Sequence, residues 1–281
     1  MTEQSRNKPF FDIYSRLREN SDDLSPHMHY HHQIIFITEG LVQFIISGRH
    51  YLAGPNSLLL ISNLESHAVK VLQYPYDRYV LAINSEFAAT FLRHPLLVSV
   101  FLRRPDNFSN LIELDEKTAE NVRKACIEMT EELKQRKIMW EETVASMVMQ
   151  LLISVYRYNS EPFWPADASN ASSLVFNVQN YISLNYQKKL SLEDLSNKFF
   201  VNKFYLSHIF KSVTGFNYKD YLIRYRLSIA KDFLANTKMP VTEICSACGY
   251  NNINHFNRIF KKYEGIAPTE YRKNVILMDK I

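Results

Sequence analysis

Residues 27–33 run His27-Met28-His29-Tyr30-His31-His32-Gln33, and His67 follows after the next hairpins. On alternate positions of one strand, His27, His29 and His31 would share a face. Three imidazoles and an amide could hold Fe, Mn, Zn or Ni, and a centre of that kind supports oxygenase or isomerase chemistry. Gln33 carries no negative charge, which a divalent ion would draw on, so the string is read without a metal. A second pair of soft ligands, Cys245 and Cys248, raises zinc or redox chemistry. No further CxxC or His pair follows at zinc-ligand spacing, so Cys245 is expected to be a small buried hydrophobe.

The third chemistry is recognition of a polyanion. Ile209-Phe210-Lys211, Gly215 and Tyr221 recur fifty positions on as Ile259-Phe260-Lys261, Gly265 and Tyr271, and Asn202 recurs as Asn252. At the same offset Leu206 matches Phe256 and Leu195 matches Cys245. Each copy reads as a helix-turn-helix, and two such units on one domain can read two stretches of DNA groove. Charge agrees: from Leu174 onward there are 16 Lys and Arg against 8 Asp and Glu, and before it 17 against 21. Only the C-terminal part is expected to meet nucleic acid.

These groups need elements to position them. A length of 281 residues, 46% of them apolar, predicts about two domains with substantial cores. Segments 33–38, 41–46, 57–61 and 79–83 are strand-length and rich in Ile, Val, Leu and Phe. Glu39-Gly40, Ser47-Gly48 and Gly54-Pro55 punctuate them as turns, which suggests a small barrel or jelly roll. From about 115 to 158 apolar residues step at helical spacing: Val122, Cys126, Met129 and Leu133, then Val144, Met147, Val148, Leu151, Leu152 and Val155. The segment 161–173, with two prolines and a Ser/Asn/Ala tail, reads as a linker.

From Leu174 the pattern is helical. Ser191 is an N-cap with acidic residues in the following turn, and Asn202 caps the next helix, which ends near Gly215. A long helix is expected over about 218–235, with Leu222, Tyr225, Ile229 and Phe233 inward. Pro240 opens the second copy as an N1-type residue, and its second helix spans 253–263. The polar start of the chain, the lack of an apolar leader and the lack of any membrane-length run predict a soluble, cytoplasmic protein with no membrane partner.

The residues 192–234 and 240–272 strongly resemble the AraC/XylS-type transcription regulators. The elements that carry this are Tyr205-Leu206-Ser207 before Phe210-Lys211, Tyr221 before Arg226-Leu227 and Ala230, then Ile244, Gly249-Tyr250, Phe256, Arg258, Phe260-Lys261, Gly265, Pro268 and Tyr271-Arg272. The resemblance implies two helix-turn-helix units joined by a long helix, with their second helices in successive major grooves of double-stranded DNA. Carried over by position, the first reading helix offers Lys203, Phe204, Ser207, His208 and Lys211. The second offers Asn254, His255, Asn257, Arg258, Lys261 and Lys262. Leu206, Ile209, Phe210, Phe256, Ile259 and Phe260 are assigned to the core. Arg258 suits guanine and Asn254 or Asn257 adenine, while Lys211, Lys261 and Lys262 suit phosphate. Asn202, Asn254 and His255 depart from the common pattern, where Ser stands at the first two places and an aromatic at the third. That bears on which bases are read.

The His27 string with His67 is similar to the metal motif of cupins, with Gln33 in place of Glu. Within the regulator family it implies an effector pocket, here lined by His27, His29, His31, Tyr51 and His67. The fold expected is α+β. Residues 1–110 form a cupin-like β-barrel or jelly roll that binds an effector, and 111–158 a helical segment that makes a homodimer. Residues 159–173 form a linker, and 174–281 an all-α domain with two helix-turn-helix units. The effector is a small molecule, with sugars among those that suit a polar aromatic lining. Activation by contact with RNA polymerase is the usual family behaviour; repression is the other sign. No catalytic residue and no cofactor is assigned. Two other readings stay open: a cupin metalloenzyme with an appended DNA-binding module, and a constitutive DNA-binding protein without an effector.

Overall fold

The computed structural model describes residues 11–18, 24–92, 94–101, 108–163 and 170–278. They form two compact units, 1–173 and 174–281. Among the described residues no helix is long and apolar enough to cross a membrane.

The first unit is built on one antiparallel sheet. Its strands are β1 (Phe11–Arg18), β2 (Leu24–His27), β3 (His32–Ile46), β4 (Arg49–Ala53), β5 (Ser57–Ile61), β6 (His67–Ile83) and β7 (Leu111–Glu113). Their order is β1-β6-β3-β5-β7, with β2 also on β6 and β4 also on β3. Sequence patterning located β5 and the last five residues of β6, and it divided β3 in two. Glu39-Gly40 is not a turn. It is a bulge inside a continuous 15-residue strand, where the β3–β6 register shifts between Ile37 and Val42. Gly40 has φ 87°, and a Cβ there would lie 2.5 Å from the Pro75 carbonyl oxygen. Only glycine lets β3 pass β6 this closely.

The bulge divides both long strands at one level. Residues 32–37 of β3 pair with β5 and with the end of β6, and residues 42–46 pair with β4 and the start of β6. Side chains from both halves meet in one buried cluster that includes Ile35, Phe44, Ile46, Leu59, Val71 and Tyr76. Phe44 and Tyr76 are fully buried in it, and Tyr14, Tyr51 and Tyr74 pack against it. Residues His32 to Ile37 are all buried, because the outer face of that half is covered too. Phe36, for example, lies under the Arg123 guanidinium, 5.7 Å away.

Helices α1 (Ser85–Phe91) and α2 (Pro95–Ser99) follow β6, ahead of the expected helical segment. That segment also does not begin at 111, because β7 adds a last strand beside β5. Helices α3 (Glu116–Gln135) and α4 (Trp140–Tyr158) pack on each other, and α3 packs on β1 and β3. Their inward stripes are Ala119, Val122, Cys126, Met129 and Val144, Val148, Leu151, Leu152, Val155. Burial pushes the Cys126 thiol up to about 12, so it is unreactive.

The second unit is helical. It comprises α5 (Asn170–Asn185), α6 (Leu192–Lys198), α7 (Lys203–Thr214), α8 (Tyr218–Asn236), α9 (Val241–Ala247), α10 (Ile253–Glu264) and α11 (Pro268–Met278). The first four residues of α5 fall within the expected linker, and residues 164–169 lie outside the described residues. Local chemistry sets the ends. Ser191 and Asp194 form a reciprocal capping box on α6. The Asn202 side chain accepts from the amides of Phe204 and Tyr205, and Asn252 accepts from that of His255. Gly215 and Gly265 close α7 and α10 in the left-handed conformation. Pro240 is the residue before α9 and not its first residue. In α8 the inward residue is Leu234, and Phe233 is only half-buried.

The repeat has a slip that the offset of fifty conceals. The amide of Phe199 bonds to Leu195 and that of Cys248 to Ile244; Val201 bonds to Ser196 and Tyr250 to Cys245. Leu195 therefore corresponds to Ile244, not Cys245, at an offset of 49, and the offset becomes 50 only at α7 and α10. The second turn has one extra residue. Phe200 corresponds to Gly249, and both are left-handed, at φ 54° and 77°. A Cβ on Gly249 would lie 2.6 Å from the Gln187 carbonyl oxygen, whereas Phe200 is 95% exposed. Gly249→Ala should lower stability by about 2–4 kcal/mol through strain and backbone clash. Phe200→Gly should raise it by about 1 kcal/mol. Urea unfolding followed by far-UV circular dichroism checks both; equal shifts at the two positions would refute the correspondence.

Candidate nucleic-acid interface and histidine cluster

Helix α7 displays its polar face by burying Leu206, Ile209 and Phe210 against the rest of its unit. Lys203, Phe204, His208 and Lys211 are exposed, and Ser207 is half-buried. Phe204 is 82% exposed, a large apolar ring with no place in the core. The Lys203 ammonium lies 3.0 Å from Glu193 of α6, so this cation is already partnered.

Helix α10 buries Phe256 and Phe260, while Ile259, expected in the core, is only half-buried. Asn254, His255, Arg258, Lys261 and Lys262 are exposed. Asn257 departs from the expected outward face. It is half-buried, and its side-chain oxygen is buried without a hydrogen-bond partner among the described residues. It lines a pocket of ≈ 340 Å³ with Val241, Thr242, Arg258, Lys261 and Pro268. The cause is helical phase: Asn257 follows the buried Phe256 by one position and precedes Phe260 by three, so it stands at the seam with α9 and α11.

Each reading unit is held to what precedes it. Arg226 on α8 donates to the Tyr186 and Lys188 carbonyl oxygens, at 2.8 and 2.9 Å. Arg272 on α11 donates to the Leu234 and Met239 carbonyl oxygens, at 3.3 and 2.6 Å. Helix α10 is tied to α8 by the Tyr263 hydroxyl, which donates to Asp220 at 2.6 Å, and by Lys231–Glu264 at 3.0 Å. Burial alone would raise the Asp220 carboxyl, but Tyr263 and Arg224 hold it below the usual range. Sequence spacing gave no role to the exposed aromatics Phe200 and Tyr205, because an aromatic in a helical pattern reads as core.

In the first unit the imidazoles gather at one end of the sheet. They do not lie on one strand: β2 ends at His27, β3 begins at His32, and His29 and His31 sit in the link. The link nonetheless brings the rings together. Centroids of His27 and His67 are 4.4 Å apart, His27 and His29 4.8 Å, and His29 and His67 5.2 Å. His31 stacks on His29 at 4.8 Å and is 3.2 Å from the Gln33 amide nitrogen. His27 is the register partner of His67, which also faces Ile46 of β3.

His67 is 3% exposed. Burial, with the neighbouring His27 adding to it, pushes its pKa down to about 4, so the ring is neutral at neutral pH. Its Nδ1 donates to the Glu65 carbonyl oxygen at 3.0 Å. His32 belongs to a different environment, accepting from the Asn63 amide at 3.1 Å beside Phe101. Tyr51 stands apart from the cluster. It pairs with Phe44, two residues from Ile46, and its hydroxyl donates to Asn110 at 3.1 Å.

Comparison with known proteins bears on both units. A family described as AraC-like ligand binding domain matches residues 13–135, and one described as helix-turn-helix domain matches residues 195–274. The chain belongs to the AraC/XylS-type regulator family. Among its relatives, the uncharacterized HTH-type transcriptional regulator YijO of Escherichia coli (strain K12) is 33% identical over 106 residues, which are 38% of this chain and 38% of YijO. The match thus spans well under half of that relative's length. The HTH-type transcriptional activator RhaS of Mannheimia succiniciproducens is 22% identical over 249 residues, 88% of each chain. The crystal structure of unsaturated fatty acid bound ToxT from Vibrio cholerae superposes with a TM-score of 0.59 at 14% identity, covering 97% of both chains. That likeness is one of fold: a cupin-like antiparallel sheet in one unit and the paired helix-turn-helix in the other.

Proposed function

We propose that the chain is an effector-responsive transcription regulator that binds double-stranded DNA through α7 and α10 and has no catalytic activity. The observation that carries this is the pair of N-capped reading helices held on α8, each with an exposed polar and basic face. His208, Asn254, His255 and Arg258 read base edges, with Phe204 against a thymine methyl. Lys211, Lys261 and Lys262 neutralise phosphates. Lys203 and Ser207 are the weaker contacts of the set, since one is held by Glu193 and the other is half-buried. Asn257 supports the pocket beneath Arg258 and Lys261.

The small-molecule effector binds at the histidine end of the sheet, where the rings of His27, His29, His31 and His67 gather. Tyr51 contributes through Asn110. A sugar or another polar metabolite fits this lining. The protein works in the cytoplasm as a homodimer through α3 and α4, which puts four reading helices on the target and raises affinity by effective concentration. Effector binding shifts the population between arrangements of the DNA-binding units. Contact with RNA polymerase makes it an activator.

The test is selection of bound duplexes from a random pool at physiological salt. The expected motif has two short blocks about one helical turn apart, roughly 10.5 base pairs, and Arg258→Ala should lose preference in one block only. If neither the full chain nor residues 174–281 enriches a motif, the reading is wrong.

A further inference from the structure

We propose that His27, His29 and His67 form a binding site for one late first-row divalent metal ion, such as zinc or nickel. The ligand atoms of the three rings all lie within 4.8 Å of one another. Around a tetrahedral ion with metal–nitrogen distances of about 2.0–2.1 Å, neighbouring nitrogens are roughly 3.3 Å apart. Small side-chain rotations close that difference, because His27 and His29 are only half-buried.

The anchor is His67. A carbonyl oxygen can only accept, so the Glu65 oxygen at 3.0 Å fixes the proton on Nδ1 and leaves the Nε2 lone pair for a ligand bond. Metal-bound histidines are oriented by the same kind of backbone hydrogen bond. His27 stands opposite His67 in the β2–β6 register, so two ligands come from paired strands. The third, His29, is backed by the stacked His31 ring, which the Gln33 amide holds in turn. Gln33 therefore does not take the place of a missing carboxylate ligand; it acts behind the ligands, on His31.

The donor set also selects the ion. It is all imidazole. The neighbouring carboxylate, Glu65, is turned elsewhere: it accepts from the Ser62 amide at 2.8 Å and lies 3.4 Å from the Asn110 amide nitrogen. Three neutral nitrogens favour zinc, nickel, cobalt or copper over magnesium or calcium. They leave the ion its full charge and at least one open position, which would take an anionic oxygen donor. This goes beyond the regulator reading and does not depend on DNA recognition: a failed duplex selection leaves the titration below intact, and the reverse holds too.

The experiment is calorimetric titration of zinc into the chelator-stripped full chain, purified without a histidine tag. The expected result is one zinc per chain with micromolar or tighter affinity, undisturbed by excess magnesium. The double variant His27→Gln/His29→Gln should bind at least about 100-fold more weakly. His50→Gln, at an exposed position outside the cluster, should bind as the wild type does. Because both substituted residues are half-buried, the double variant keeps the fold, which circular dichroism checks; His67→Gln gives a second arm. Absence of saturable one-to-one uptake, or uptake retained in the double variant, would overturn the proposal.

Discussion

Phe210→Ala unfolds the first reading unit. The ring is fully buried and packs edge-on against Tyr221, with centroids 5.1 Å apart at 90°, and against Tyr218 at 6.3 Å. Truncating a buried phenylalanine costs about 3–5 kcal/mol. A domain of this size holds only about 5–15 kcal/mol in all. The expected readout is a lower urea midpoint with loss of duplex binding at ordinary temperature. Phe260, equally buried and edge-on to Tyr271 at 5.7 Å, is its counterpart and should behave the same way. A Phe210→Ala chain with an unchanged midpoint would refute the assignment of that ring to the core.

The second large effect is electrostatic. Lys211, Lys261 and Lys262 are exposed at the ends of α7 and α10. Each phosphate contact contributes about 0.9 to the slope of log affinity against log salt. Replacing all three with alanine should therefore flatten the slope by about 2.7 and weaken binding about 100-fold near 0.15 M salt, equally for selected and random duplexes. The fold should not change, since none of the three is buried. Fluorescence anisotropy across a salt series reads both quantities. A variant that lost only the selected duplex would make these residues base readers.

The helical unit was legible in the sequence because its signals are local. Ser191, Asn202, Gly215 and Gly265 act within four residues of themselves, and the caps fall where the residue types put them. The one-residue slip in the second turn was not legible, since Leu195 and Cys245 are both apolar and an offset of fifty fits them as well as 49 fits Ile244. Asn257 was misplaced for a related reason: a polar residue on an amphipathic helix reads as outward, and only α9 and α11 reveal that its position is a seam. In the sheet, Glu39-Gly40 has turn composition, and nothing local tells that Pro75 of β6 runs close enough to demand a bulge instead. The spacing of the histidines marks them as a group but places them on one strand, which they do not share. They meet because the link from β2 to β3 folds back over the start of β6.

The arginine clamps set how the molecule tolerates errors in its target. Arg226 and Arg272 each tie a reading unit to the backbone that leads into it, and Tyr263 and Lys231 fasten α10 to the long helix. These ties oppose stretching of the unit along a DNA target. One inserted base pair turns the second block by roughly 34° and moves it roughly 3.4 Å. Every contact of one unit is then lost together, whereas a mismatch costs only about 1–3 kcal/mol. On the proposed function, binding sites in a genome can therefore drift in sequence while their internal spacing stays fixed, and a promoter would escape by insertion or deletion more readily than by substitution.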